Sequence, residues 1–170
     1  HPREGAGLRN FGYADQAAAL AWVHGNVGAF GGDAGRVTLF GESAGGGSVV
    51  YHLTTPSSWP RFARGIAESA GPWILPNCSV SEIVSSSFAA TLNCSTLACL
   101  RDVDPVALRV GPGAEDYLNS VMPCLDTPLL ARVAAGGVKP GARVILGHNQ
   151  YEGNLLANAF AGPPTPTGMN

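Results

Sequence analysis

Residues 14–24 are dominated by alanine, interrupted by Leu20, Trp22 and Val23, and the run meets Gly25. Alanine has the highest helix propensity and glycine is a common terminator, so the pattern predicts a helix stopped at Gly25. Gly31-Gly32-Asp33 predicts a turn. Residues 36–40 (Arg-Val-Thr-Leu-Phe) form a short β-rich run between glycines, which predicts a buried strand. Residues 41–47 predict a sharp turn, continued by a helix over 48–53 that Pro56 ends. Residues 66–69 and 143–147 predict second and third strands. Between them, residues 79–110 read as mostly helical with breaks at Asn93 and Pro105. Residues 123–140 read as a connector holding a short helix near 129–135. Residues 153–160 predict the start of a further helix, and the proline-rich stretch after Gly162 fits no regular element.

Strands that alternate with helices predict an α/β fold with a parallel sheet and helices on its faces. Three strands do not complete such a sheet, which needs both faces and its edges covered. The expectation is one partial domain over residues 1–170, lacking N- and C-terminal portions of the sheet. Composition points the same way. Only 13% of the 170 residues are charged, against about 25% in soluble domains, as expected when surfaces are covered by further chain. The chain begins at His1, which predicts an internal piece of a longer protein. Its net charge of −2 and scattered basic residues exclude a nucleic-acid footprint. No apolar run reaches the roughly 18 residues of a membrane span.

Four cysteines, Cys78, Cys94, Cys99 and Cys124, allow three disulfide pairings and show no zinc spacing. Asn77-Cys78-Ser79 and Asn93-Cys94-Ser95 are glycan acceptor sequences. Cysteines beside two such sequences predict an extracellular or secretory-pathway history.

Gly41-Glu42-Ser43-Ala44-Gly45 fits G-x-S-x-G. In a chain with 23 glycines the pattern alone is weak, but here a β-run precedes it and a helix follows. That is the setting of a nucleophile elbow, in which a strained strand-to-helix turn lifts a serine hydroxyl above the sheet. The flanking glycines are expected to be needed because a Cβ there would collide with the neighbouring strand and helix. The amide of Ala44, at the helix N-terminus, is a candidate oxyanion donor. Gly45-Gly46-Gly47 lacks the lysine of a phosphate-cradling loop.

The block Asn10-Phe11-Gly12, Asp15-Gln16, Ala19-Leu20, Trp22-Val23, Asn26, Phe30-Gly31-Gly32-Asp33, Val37-Thr38 and Gly41–Gly45 resembles type-B carboxylesterases, the family of cholinesterases and fungal lipases. The resemblance continues through residues 66–69, Asn93-Cys94 to Cys99-Leu100-Arg101, residues 144–147 and Glu152-Gly153. It is weak from about 103 to 128. It implies an α/β-hydrolase fold and a Ser-Glu-His mechanism acting on small-molecule carboxylic esters, with no metal or organic cofactor. Carried over by position, Ser43 is the nucleophile and Glu152 the acid, in the chain order such hydrolases use. Glu42 is implied to support the histidine or bind a cationic group. Ser69 is implied to be a small polar residue beside the triad, Ala44 an oxyanion donor, and Cys94–Cys99 a short disulfide loop. Cys78 and Cys124 are left to pair with each other or with further chain.

The family's histidine lies far beyond the acid and its paired-glycine segment lies upstream, so neither falls within these residues. His1, His24, His52 and His148 do not match the histidine's context and read as structural or surface residues. A serine carboxylesterase is therefore the leading expectation. A cholinesterase-like adhesion domain without catalysis, and an inactive truncated product, are the alternatives. Oligomeric state and substrate are left open.

Overall fold

The computed structural model describes residues 10–71, 77–110 and 123–153. Helix α1 spans Phe11–Asn26, strand β1 Thr38–Glu42 and helix α2 Ala44–Leu53. Strand β2 follows at Arg64–Glu68. Helices α3 (Cys78–Thr91), α4 (Leu97–Asp102), α5 (Pro105–Val110) and α6 (Leu129–Ala134) lead to strand β3 at Arg143–Gly147. Short 3-10 segments cover Val27–Phe30, Ala34–Arg36 and Pro56–Arg61.

The three strands form one parallel sheet in the order β1-β2-β3. Phe40, Ile66 and Ile145 lie side by side in register across it. Helix α2 covers the other face over β1 and β2. Val49, Leu53, Phe62 and Ala67 form its buried core, with Val37 and Leu39 packed against them. Gly65 admits the helix closely, since a Cβ there would lie 3.1 Å from Val49 and 3.2 Å from Leu53. A second cluster joins Tyr13 of α1 to Leu125 and Leu129.

Several boundaries differ from the sequence expectation. Helix α1 runs through Gly25 and ends in a 3-10 turn, and the chain reverses only at Gly31, where φ is 78°. Gly25 has a right-handed helical backbone, and a lone glycine costs a helix only about 1 kcal/mol, which the rest of α1 outweighs. Strand β1 begins two residues late and includes Gly41 and Glu42, and the turn expected over 41–47 contracts to Ser43 alone. Strand β3 matches its expected bounds. The expected last helix has only its beginning, at Glu152 and Gly153, among the described residues.

Cys94 bonds to Cys99 and Cys78 to Cys124. The longer link is reinforced by Asn10. Its side chain accepts from the Cys124 N–H at 2.9 Å and donates to the Cys124 carbonyl at 2.8 Å. Asn77 caps α3 by accepting from Ser79 N–H, and Thr96 caps α4 by accepting from Cys99 N–H. Asparagine and threonine suit this position because their short side chains reach the free amides of the first turn.

Candidate active site

The pairing of β1 and β2 ends with Glu42 opposite Glu68, and β3 ends with Gly147 opposite Glu68. Parallel pairing therefore brings Ser43, Ser69 and Glu152 to the carboxyl ends of three adjacent strands, the edge where α/β sheets bind ligands.

Ser43 has φ 55° and ψ −116°. A side-chain-bearing residue held at positive φ carries about 1–3 kcal/mol of strain, and only firm surroundings maintain it. Three backbone contacts supply them. The Ser43 N–H donates to Glu68 O at 2.9 Å, and Gly47 N–H donates to Ser43 O at 2.9 Å. A Cβ on Gly41 would lie 2.5 Å from the Gly45 carbonyl carbon, so strand and helix backbones are in direct contact. The expected need for Gly45 itself takes a different form. A Cβ on Gly45 meets nothing within 4 Å among the described residues, whereas one on Gly46 would lie 2.6 Å from Glu68 O. The collision falls one residue later than expected because Gly46 is the residue of the first turn that faces β2. Ser43 and Ala44 are exposed. Ala44 opens α2, and the first N–H groups of a helix have no partner within it.

Glu152 Oε1 accepts a hydrogen bond from the Ser69 hydroxyl and another from Asn149 N–H at 2.8 Å. These bonds, Ser69 first and then the Asn149 amide, hold the carboxyl below the usual carboxylate range, with a small contribution from His148. Hydrogen bonds to the charged form favour it. Ser69 also has positive φ, 51°, and its N–H donates to Gly147 O at 2.8 Å. The turn after β2 is thus tied to β3 while its hydroxyl reaches the carboxylate. Glu42 is exposed at the end of β1.

Of the histidines, His24 and His148 are exposed, and His148 Nδ1 lies 3.0 Å from the Asn149 carbonyl. His52 is 3% exposed and is hydrogen-bonded to Ser58 and Gln16. His1 lies outside the described residues. Sequence reasoning missed Gly46, Asn149 and the partners of His52. Ser48 and His52 stand four residues apart in α2, hence on one face, and that polar pair in a largely apolar helix was the available signal.

A parallel sheet with a crossover helix opened by a strained serine defines an α/β-hydrolase framework. The chain belongs to the carboxylesterase family, whose model matches residues 4–165. It is 40% identical over 173 aligned positions to the cholinesterase of Mus musculus, covering 86% of this chain and 27% of that protein. It is 35% identical over 143 residues to cholinesterase 1 of Branchiostoma lanceolatum, covering 78% and 38% respectively. Among solved structures, a thermophilic PNB esterase superposes with a TM-score of 0.74 at 29% identity, covering 94% of this chain and 34% of the esterase. A carboxylesterase of Geobacillus stearothermophilus gives 0.69 at 28% identity, covering 89% and 33%. The chain thus spans little more than a third, at most, of each of these relatives.

Proposed function

We propose that these residues form the nucleophile-to-acid part, residues 1–170, of a carboxylesterase domain that hydrolyses small carboxylic esters through a Ser-Glu-His mechanism. The observation that carries the reading is the delivery of Ser43, Ser69 and Glu152 to one sheet edge, with the Glu152 carboxyl oriented by two hydrogen bonds that hold it below the usual carboxylate range. Ser43 Oγ attacks the ester carbonyl as a histidine from outside these residues removes its proton. The Ala44 N–H donates to the developing oxyanion. The alcohol leaves with the proton returned by the histidine, and water then releases the acid from Ser43 by the same route. Glu152 holds the histidine in the right tautomer and stabilises its charged form. Glu42, exposed beside Ser43, is available to a cationic group of the substrate. The reaction calls on no metal or organic cofactor. The two disulfides, with Asn77 and Asn93 as glycan acceptors, support an extracellular or secretory-pathway setting.

The 170-residue chain alone is expected to be inactive, because it lacks the base and the paired-glycine donors. Loss of a base removes a factor of about 10²–10⁴. The test compares hydrolysis of an activated aryl ester by a longer protein carrying these residues with that by its Ser43→Ala variant. Activity is expected to fall by at least about 10³, and equal rates would refute the assignment of Ser43. Ser43-dependent turnover by the 170 residues alone would refute the need for an outside histidine.

A further inference from the structure

One polar chain links α1 to α2, buried at His52 and Ser58 and reaching the surface at Gln16 and Ala44, and it is not used by the chemistry above. His52 Nδ1 lies 2.8 Å from Ser58 Oγ, and His52 Nε2 lies 3.0 Å from Gln16 Oε1. Gln16 Nε2 donates to Ser48 Oγ at 3.1 Å, and Ser48 Oγ donates to the Ala44 carbonyl at 3.1 Å. The roles along this chain are fixed by valence. The amide oxygen of Gln16 can only accept, so His52 Nε2 carries the proton. In the neutral imidazole Nδ1 then accepts from the Ser58 hydroxyl. The Gln16 amide nitrogen can only donate, so the Ser48 hydroxyl is left to donate onward.

Every bond therefore points the same way, from Ser58 in the 3-10 turn after α2, through His52 and Gln16, to the carbonyl of Ala44. His52 and Ser58 are 3% and 1% exposed, so water cannot readily replace their partners. The end point is the first residue of α2, directly after Ser43.

Resting on the reading of Ser43 as nucleophile, we infer that Gln16 and His52 are positioning residues, whose one-directional hydrogen-bond relay through Ser48 holds the Ala44–Gly45 peptide and so steadies the adjoining Ser43–Ala44 peptide, whose N–H is the oxyanion donor. In the first turn of the helix the Ala44 carbonyl faces the backbone N–H four residues on; the Ser48 hydroxyl adds a second restraint on it, and Gln16 ties that hydroxyl to a separate helix. Glutamine suits position 16 because its carboxamide presents an acceptor to His52 and a donor to Ser48 in one planar group. Glutamate there would leave Ser48 facing two acceptors, and its hydroxyl would turn from Ala44 towards the new carboxylate. The titratable groups packed edge-on against the His52 ring are Tyr13 and Tyr51.

The test is nitrogen-15 NMR of the histidine-labelled protein, with His52 assigned by loss of its signals in His52→Gln. The expected spectrum at neutral pH shows Nε2 protonated and Nδ1 bare. The reverse tautomer overturns the relay, and this measurement needs no functional variant. In Gln16→Glu, a carboxylate beside Nε2 is expected to raise the protonation midpoint of His52 by about 1 pH unit or more. The Ala44 and Gly45 amide resonances are expected to move with that same midpoint. Ser48→Ala, which cuts the relay without adding charge, should shift those two amides while leaving the tautomer intact. Ala44 and Gly45 resonances indifferent to both substitutions overturn the inference. None of these readings needs turnover, so a failure of the Ser43 assignment in the esterase assay is seen separately from a failure of the relay.

Discussion

Gly46 and Gly45 are adjacent and chemically identical, yet their surroundings predict opposite responses to alanine. A Cβ at Gly46 would press on the Glu68 carbonyl at 2.6 Å, and that backbone oxygen already accepts from Ser43 N–H. Gly46→Ala is therefore expected to destabilise by about 1–3 kcal/mol, the usual cost of overpacking. Gly45→Ala has open space in the structure and sits within a helix. It should be neutral or stabilising by up to about 1 kcal/mol. Urea unfolding of the two variants checks this, and a larger loss for Gly45→Ala would contradict it. At the acid, Ser69→Ala removes the chief cause of the lowered Glu152 pKa. The Glu152 titration, followed by carboxyl carbon-13 NMR, should move up towards the ordinary value of about 4.3. The sign for stability follows. A carboxyl depressed in the folded state stabilises above its unfolded pKa, and that contribution is lost as pH falls through the lower folded value. Ser69→Ala should therefore narrow the stability difference between pH 6 and pH 3.

Helix α2 does two jobs, presenting Ala44 at its first turn and burying Val49 and Leu53 against β2. Leu53→Ala should cost about 2–5 kcal/mol, as truncations of buried leucines do, and thermal unfolding measures it. At this scale the sequence was most legible where hydrophobic runs were short and bounded. Strand β3, between Ala142 and His148, has the bounds its apolar run predicts. It was least legible around glycines, since a glycine marks a turn, a helix interior or a close contact with the same letter. Gly25, Gly31, Gly41 and Gly46 take different roles that only their packing separates. The proposed serine and acid, Ser43 and Glu152, were named from family spacing rather than from local pattern. The Gln16–His52 pairing joins residues 36 apart through a helix packing that no local pattern encodes.

Over the whole molecule, the sheet face opposite α2 carries the row Phe40, Ile66 and Ile145. Phe40 is 78% and Ile145 64% exposed. Exposed contiguous apolar surface binds amphiphilic dyes. The purified chain should enhance the fluorescence of anilinonaphthalene sulfonate, and Phe40→Ser with Ile145→Ser should reduce that signal. An unchanged signal would place the bound dye elsewhere. The two disulfides differ in what they constrain. The Cys78–Cys124 link closes a separation of 46 residues and Cys94–Cys99 one of 5. Loop-closure entropy assigns them about 4 and about 2 kcal/mol respectively. Reduction should therefore lower the unfolding midpoint mainly through the longer link, as a Cys78→Ala/Cys124→Ala double variant would show against Cys94→Ala/Cys99→Ala.

The clamp between Asn10 and Cys124 sets a timetable. The two residues are 114 positions apart. At about 5–20 residues per second, the ribosome delivers Cys124 roughly 6–23 seconds after Asn10. Throughout that interval α1 lacks its anchor at Leu125, and Gln16 waits beside an unfinished fold. Birth of the chain therefore runs far ahead of its consolidation, leaving a long window in which a chaperone can hold α1. Nascent chains arrested before Cys124 should be cut by protease near Trp22, and chains arrested well beyond Gly147 should resist.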